Sequence, residues 1–154
     1  SGFLTKELGK VTAIDTSDGM LDITRKKNPS AECIHADMFE MPYKNNSFDK
    51  VVTMRVWNHL DGNDLKRSIK ESRRVLRKNG YLIFDAEDKS FMRRAASVIY
   101  KVLFRPTGFT IYQHSLMELK DILEMGGFKI EKVKFYYHRV GRQIVLRAKL
   151  IEKK

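Results

Sequence analysis

The chain has 154 residues, 42% hydrophobic and 32% charged, a length that fits one domain and a balance that excludes a disordered tract. No apolar run approaches the ~18 residues that a membrane-spanning helix needs. The 30 Lys and Arg against 19 Asp and Glu leave +11, a field that attracts nucleic acid, anionic membrane or acidic substrates without choosing among them. A single cysteine, Cys33, excludes an internal disulfide, and no basic segment leads into an apolar stretch with a cleavage site, so a cytoplasmic setting is expected.

In chain order, VTAID at 11–15 predicts a strand closed by an acid. Thr16 or Ser17 then caps a helix with Asp18 in its first turn, and Met20, Leu21 and Ile23 form its apolar side before Asn28-Pro29 ends it. The next strand is expected over 31–35, followed by a second acid, Asp37. MPYKNNS at 41–47 reads as loop, and FDKVVTM at 48–54 as a buried strand. From the cap Asp61 a helix is expected through Lys78, with Leu65, Ile69, Val75 and Leu76 inward and Asn79-Gly80 as its left-handed stop. YLIFDAE at 81–87 is the strand that follows.

Residues 90–104 carry a helical period, broken by Arg105-Pro106-Thr107-Gly108. Ser115 and Glu118 form a capping box, opening a helix through Leu119, Ile122 and Leu123 that stops at Gly126-Gly127. Strands over 128–137 and 143–151, joined by a turn at Val140-Gly141-Arg142, make an antiparallel hairpin. The alternation predicts an α/β fold: a doubly wound, mostly parallel sheet with helices on both faces and the hairpin at its far end, in one domain over 1–154. In such a sheet the carboxyl ends of neighbouring strands face one crevice. Asp15 and Asp37, 22 positions apart, are therefore placed to grip two parts of one nucleoside.

Taken in this order, the motifs resemble the class I (Rossmann-like) S-adenosylmethionine-dependent methyltransferases over essentially the whole chain. VTAIDTSDGML at 11–21 is similar to that family's second strand, acidic tip and following helix, and ADMFEMPY at 36–43 to its adenine-binding segment. FDKVVTMRVWNHL at 48–60 resembles its fourth strand and the loop beside the methyl group, and RVLRKNGYLIFDAE at 74–87 its fifth-strand unit. SGFLT at 1–5 resembles the end of its glycine loop. The family's first strand and most of that loop have no counterpart here, so upstream residues are expected beyond this sequence.

The resemblance implies S-adenosyl-L-methionine as cofactor and S-adenosyl-L-homocysteine as product. It gives Asp15 the two ribose hydroxyls, Thr16 and Met20 the borders of the adenine, Asp37 its exocyclic amine, and the backbone N–H of Met38 the ring. Gly2 would let the backbone approach the amino-acid end of the cofactor. Arg55, next to the methyl group, is expected to pair with the cofactor's carboxylate or an anionic acceptor, because a bare cation would repel the sulfonium. On the acceptor side stand Trp57, His59, Tyr112 and His114, with His59 and His114 as candidate bases; no catalytic residue is fixed, and no metal site is expected.

Acceptor choice is expected to reside in a lid segment at 88–113, apolar on one side and basic on the other. That composition favours a small, lipophilic acceptor and admits contact with an anionic membrane; the net charge keeps RNA as an alternative acceptor. Two further readings are a nicotinamide-dependent oxidoreductase, which fits the Asp37 segment and the terminal hairpin poorly, and a non-catalytic binding module. The sequence leaves the oligomeric state open.

Overall fold

A computed structural model describes residues 9–88, 112–138 and 141–151. Gly2 and nearly all of the expected lid and its helix lie outside the described residues. The chain divides into two units, Ser1–Tyr43 and Lys44–Lys154.

In the first unit, β1 (Thr12–Asp15) leads into α1 (Asp18–Lys27), and β2 (Glu32–His35) pairs parallel with β1, Asp15 standing opposite His35. Ser17 caps α1, its hydroxyl accepting from the Met20 N–H, and Asp18 sits in the first turn, where negative charge complements the helix dipole. The expected apolar side is narrower than the sequence suggests. Leu21 is buried, but Met20 and Ile23 are about half exposed, because a helix packed on two strands finds cover for only one stripe.

The second unit is a four-stranded sheet in the order β3-β4-β6-β5, built from β3 (Phe48–Thr53), β4 (Leu76–Glu87), β5 (Phe128–His138) and β6 (Gly141–Leu150). β3 runs parallel to β4, while β6 is antiparallel to both β4 and β5. The terminal hairpin forms as expected, and its second strand, β6, joins the parallel pair. The resulting mixed α/β architecture is that of the expected Rossmann-like class. β3 is less buried than its composition predicts: it is an edge, paired among the described residues only with β4, and Val52 and Met54 beyond it are about half exposed.

Alternation builds the core. Leu82, Phe84 and Ala86 of β4 face the same way as their partners Ala148, Leu146 and Ile144 of β6, and all six are buried. Two helices, α2 (Gly62–Val75) and α3 (Leu116–Met125), bury Leu65, Ile69, Val75, Leu119 and Leu123. Asp61 caps α2 by accepting from the N–H groups of Asn63 and Asp64, and the Ser115–Glu118 capping box of α3 is complete. Gly127, just past α3, takes φ +83°, the left-handed stop that glycine supplies without strain.

The expected end of α2 is corrected. The helix stops at Val75, and 76–80 already belong to β4. Between the pairs Phe48–Leu76 and Lys50–Tyr81 one residue of β3, Asp49, stands opposite four of β4, so the chain bulges there. Asn79 takes the left-handed turn at φ 62°, and Gly80 is required for closeness: a Cβ on it would lie 2.8 Å from the Arg77 carbonyl oxygen and 3.1 Å from that of Asp49. Both neighbours are backbone and cannot swing away. Gly80→Ala should therefore destabilise the protein by about 1–3 kcal/mol in a denaturant titration; an unchanged midpoint would show that the bulge relaxes freely. Among the described residues no helix is long and apolar enough to cross a membrane.

Candidate active site

Parallel pairing puts the carboxyl ends of β1 and β2 side by side. Asp15 is the last residue of β1, Asp37 lies two past the end of β2, and the Ala36 N–H donates to the Asp15 carbonyl, so the two acidic tips leave the same end of the pair. Each carboxylate makes the same local bond. Asp15 Oδ1 accepts from the Ser17 N–H and Asp37 Oδ1 from the Phe39 N–H, both at 2.8 Å, closing two Asx turns. These turns fix the side chains, and among the described residues the second oxygen of each has no partner. Thr16 and Met20 are exposed on the same turn and helix start. The Met38 N–H is likewise free of partners among the described residues.

In the second unit, the chain leaves β3 through Met54 and turns at Arg55, whose φ of 61° is left-handed, an uncommon conformation for a residue with a side chain. A short 3-10 turn follows, Trp57–His59. The Arg55 side chain is exposed and makes no ion pair among the described residues, so its guanidinium is available to an anion. Trp57 is fully buried, its ring 4.2 Å from that of Phe84 at 35°, so it packs in the core beside the turn.

Tyr112, His114 and His59 are brought together. The Tyr112 N–H donates to the Asn58 carbonyl at 2.7 Å, and the His114 N–H to the Glu87 carbonyl at 3.1 Å, so 112–114 ties the 3-10 turn to the end of β4. His59 is exposed and His114 buried. The end of β4 also carries residues the sequence reading missed. Asp85 is 1% exposed and accepts from the Arg55 N–H and from Gln143 Nε2. Asp88 accepts from the Arg142 guanidinium, which lies over the rings of Phe135 and Tyr137. Arg142 holds its proton more tightly than an ordinary guanidinium, through its hydrogen bond to Tyr137 first and to Asp88 second. The signal was present in FDAED at 84–88: acids at a strand end, the same pattern that singled out Asp15.

A separate cleft of about 440 Å³ is lined by Asn45, Asn46, Lys70, Arg73 and Arg74, at the start of β3 and the end of α2. It lies at the opposite end of the β3–β4 pair from Arg55 and Asp85.

A family model described as a methyltransferase domain matches residues 1–84. The demethylmenaquinone methyltransferase of Staphylococcus aureus is 35% identical over 78 residues, 49% of this chain and 32% of that protein, so the chain spans about a third of the curated relatives it matches. Among solved structures, a SAM-dependent methyltransferase from Methanosarcina mazei superposes with a TM-score of 0.79 at 20% identity, over 94% of this chain and 83% of that one. The magnesium protoporphyrin IX methyltransferase of Synechocystis, solved with bound SAH, gives 0.76 at 20% identity over 95% and 66%.

Proposed function

Because the chain belongs to the methyltransferase domain family, we propose that it transfers a methyl group from S-adenosyl-L-methionine to a small, lipophilic acceptor. The observation that carries this reading is the pair of acidic tips, Asp15 and Asp37, each immobilised by its own turn with one carboxylate oxygen left over. A carboxylate oxygen of this kind accepts ribose hydroxyls with charge-assisted strength. Asp37 takes the exocyclic amine of the adenine, and the free Met38 N–H takes a ring nitrogen. The relatives' own names support the acceptor class, since demethylmenaquinone and magnesium protoporphyrin IX are small ring compounds.

When bound, the cofactor supplies an activated methyl on a sulfonium. The chain's task is then to hold the acceptor in line with the S–CH3 bond and to exclude water. Methyl transfer to a protonated acceptor would leave that acceptor with a proton to give up, to a base or to water. His59 and His114 are the side chains that take such a proton. Arg55 pairs with the carboxylate of the cofactor's methionine end or with an anionic acceptor. Arg55→Met should weaken S-adenosylhomocysteine binding about tenfold in calorimetry; unchanged affinity and turnover would remove Arg55 from the site.

Methyl-labelled S-adenosylmethionine incubated with candidate quinols tests the reaction, with label in an organic-soluble product expected. Label in RNA, falling steeply with salt, would instead favour the RNA reading, for which the basic cleft at Lys70 and Arg73 is the supporting observation. Binding of nicotinamide nucleotides with none of S-adenosylhomocysteine would reject both.

A further inference from the structure

The proposed reaction leaves one buried carboxylate without a task. Asp85 is 1% exposed, no cation pairs with it among the described residues, and its two oxygens go to neutral donors: the Arg55 N–H at 2.5 Å and Gln143 Nε2. Burying a carboxyl group is costly even when neutral donors bond it, and a fold has no general need for one at a strand end. Its partner explains the placement. Arg55 is the residue at which the chain leaves β3, and its left-handed φ of 61° turns its N–H away from the ladder that 48–53 follow. Without an acceptor under it, that N–H would be orphaned in a part-buried position. With Asp85 beneath, the turn is pinned to β4, and through Gln143 to β6.

Everything after the turn depends on it. Trp57 enters the core against Phe84, and the Asn58 carbonyl receives the Tyr112 N–H, so the placement of Arg55, His59 and Tyr112 is set from this hinge. We propose that Asp85 is a positioning residue: its buried carboxylate, braced by Gln143, holds the 54–60 segment in its working shape through the backbone N–H of Arg55, without touching cofactor or acceptor. The inference rests on the methyl-transfer reading for the purpose of that segment, and on the hydrogen bonds alone for the mechanism of holding it.

The test compares Asp85→Ala with Asp85→Asn by hydrogen exchange resolved to segments, together with calorimetric titration of S-adenosylhomocysteine. The asparagine keeps an acceptor for Arg55, and Gln143 can turn its amide to match. The alanine variant should exchange about tenfold faster in 54–60, with α2 and β6 unchanged, and should bind S-adenosylhomocysteine about tenfold more weakly, while the asparagine variant stays within about threefold of the parent in both. Unchanged exchange in 54–60, or asparagine as damaging as alanine with exchange rising across the whole second unit, would overturn the inference.

If the alanine variant does not fold, Gln143→Leu removes the brace alone. A rise of about two- to threefold confined to 54–60 is then expected; no rise, or one spread through the sheet, would overturn the proposal. A parent protein that fails to bind S-adenosylhomocysteine would defeat the methyl-transfer reading, while the exchange result would still decide whether Asp85 holds the turn.

Discussion

Asp15→Ala should weaken S-adenosylhomocysteine binding by on the order of a hundredfold, because charge-assisted hydrogen bonds to two hydroxyls are together worth about 3 kcal/mol net. The same variant also loses the acceptor for the Ser17 N–H, so a stability control is essential. Asp15→Asn provides it. The amide oxygen still closes the Asx turn, but the charge is gone and the one position left for the ribose becomes a donor. Its thermal midpoint should match the parent's while its affinity falls about tenfold or more. Equal affinities for parent, asparagine and alanine variants would mean that Asp15 is merely a strand-end cap.

The second large effect concerns stability. Trp57→Ala should cost about 3–5 kcal/mol in a denaturant titration, the range for removing a fully buried aromatic. Trp57 lies entirely within the core, with its ring tilted against that of Phe84. Its indole N–H has no hydrogen-bond partner among the described residues, so Trp57→Phe removes an unsatisfied donor as well as volume and should cost much less. A loss under about 1 kcal/mol for the alanine variant would show that the ring is not buried in solution.

These outcomes separate what the sequence made legible from what it did not. Caps were legible because their chemistry is local: Ser17, Asp61 and the Ser115–Glu118 box each satisfy backbone groups within a few residues, and each cap forms. The hairpin was legible for the same reason, since two adjacent strands with a short turn have few other options. Asp15 and Asp37 were legible as strand tips, and the parallel register does bring them to one end.

Features set by distant residues were not legible. Trp57 reads as loop-side because it follows β3, yet the left-handed turn at Arg55 directs it inward, and nothing near it in sequence specifies φ there. Met20 and Ile23 fit a helical period, but cover depends on how many strands lie beneath. Leu76 was correctly inward and wrongly helical, because the bulge opposite Asp49 starts β4 early. Asp85 escaped notice because its significance lies in a bond to a residue 30 positions away.

The central claim is that the tips of β1 and β2 hold a nucleoside, and a crystal structure with S-adenosylhomocysteine tests it most directly. The account predicts the ribose hydroxyl oxygens about 2.5–2.8 Å from the free Asp15 oxygen, with the adenine amine on Asp37. A nucleoside bound elsewhere, with both carboxylates facing only water, would contradict it.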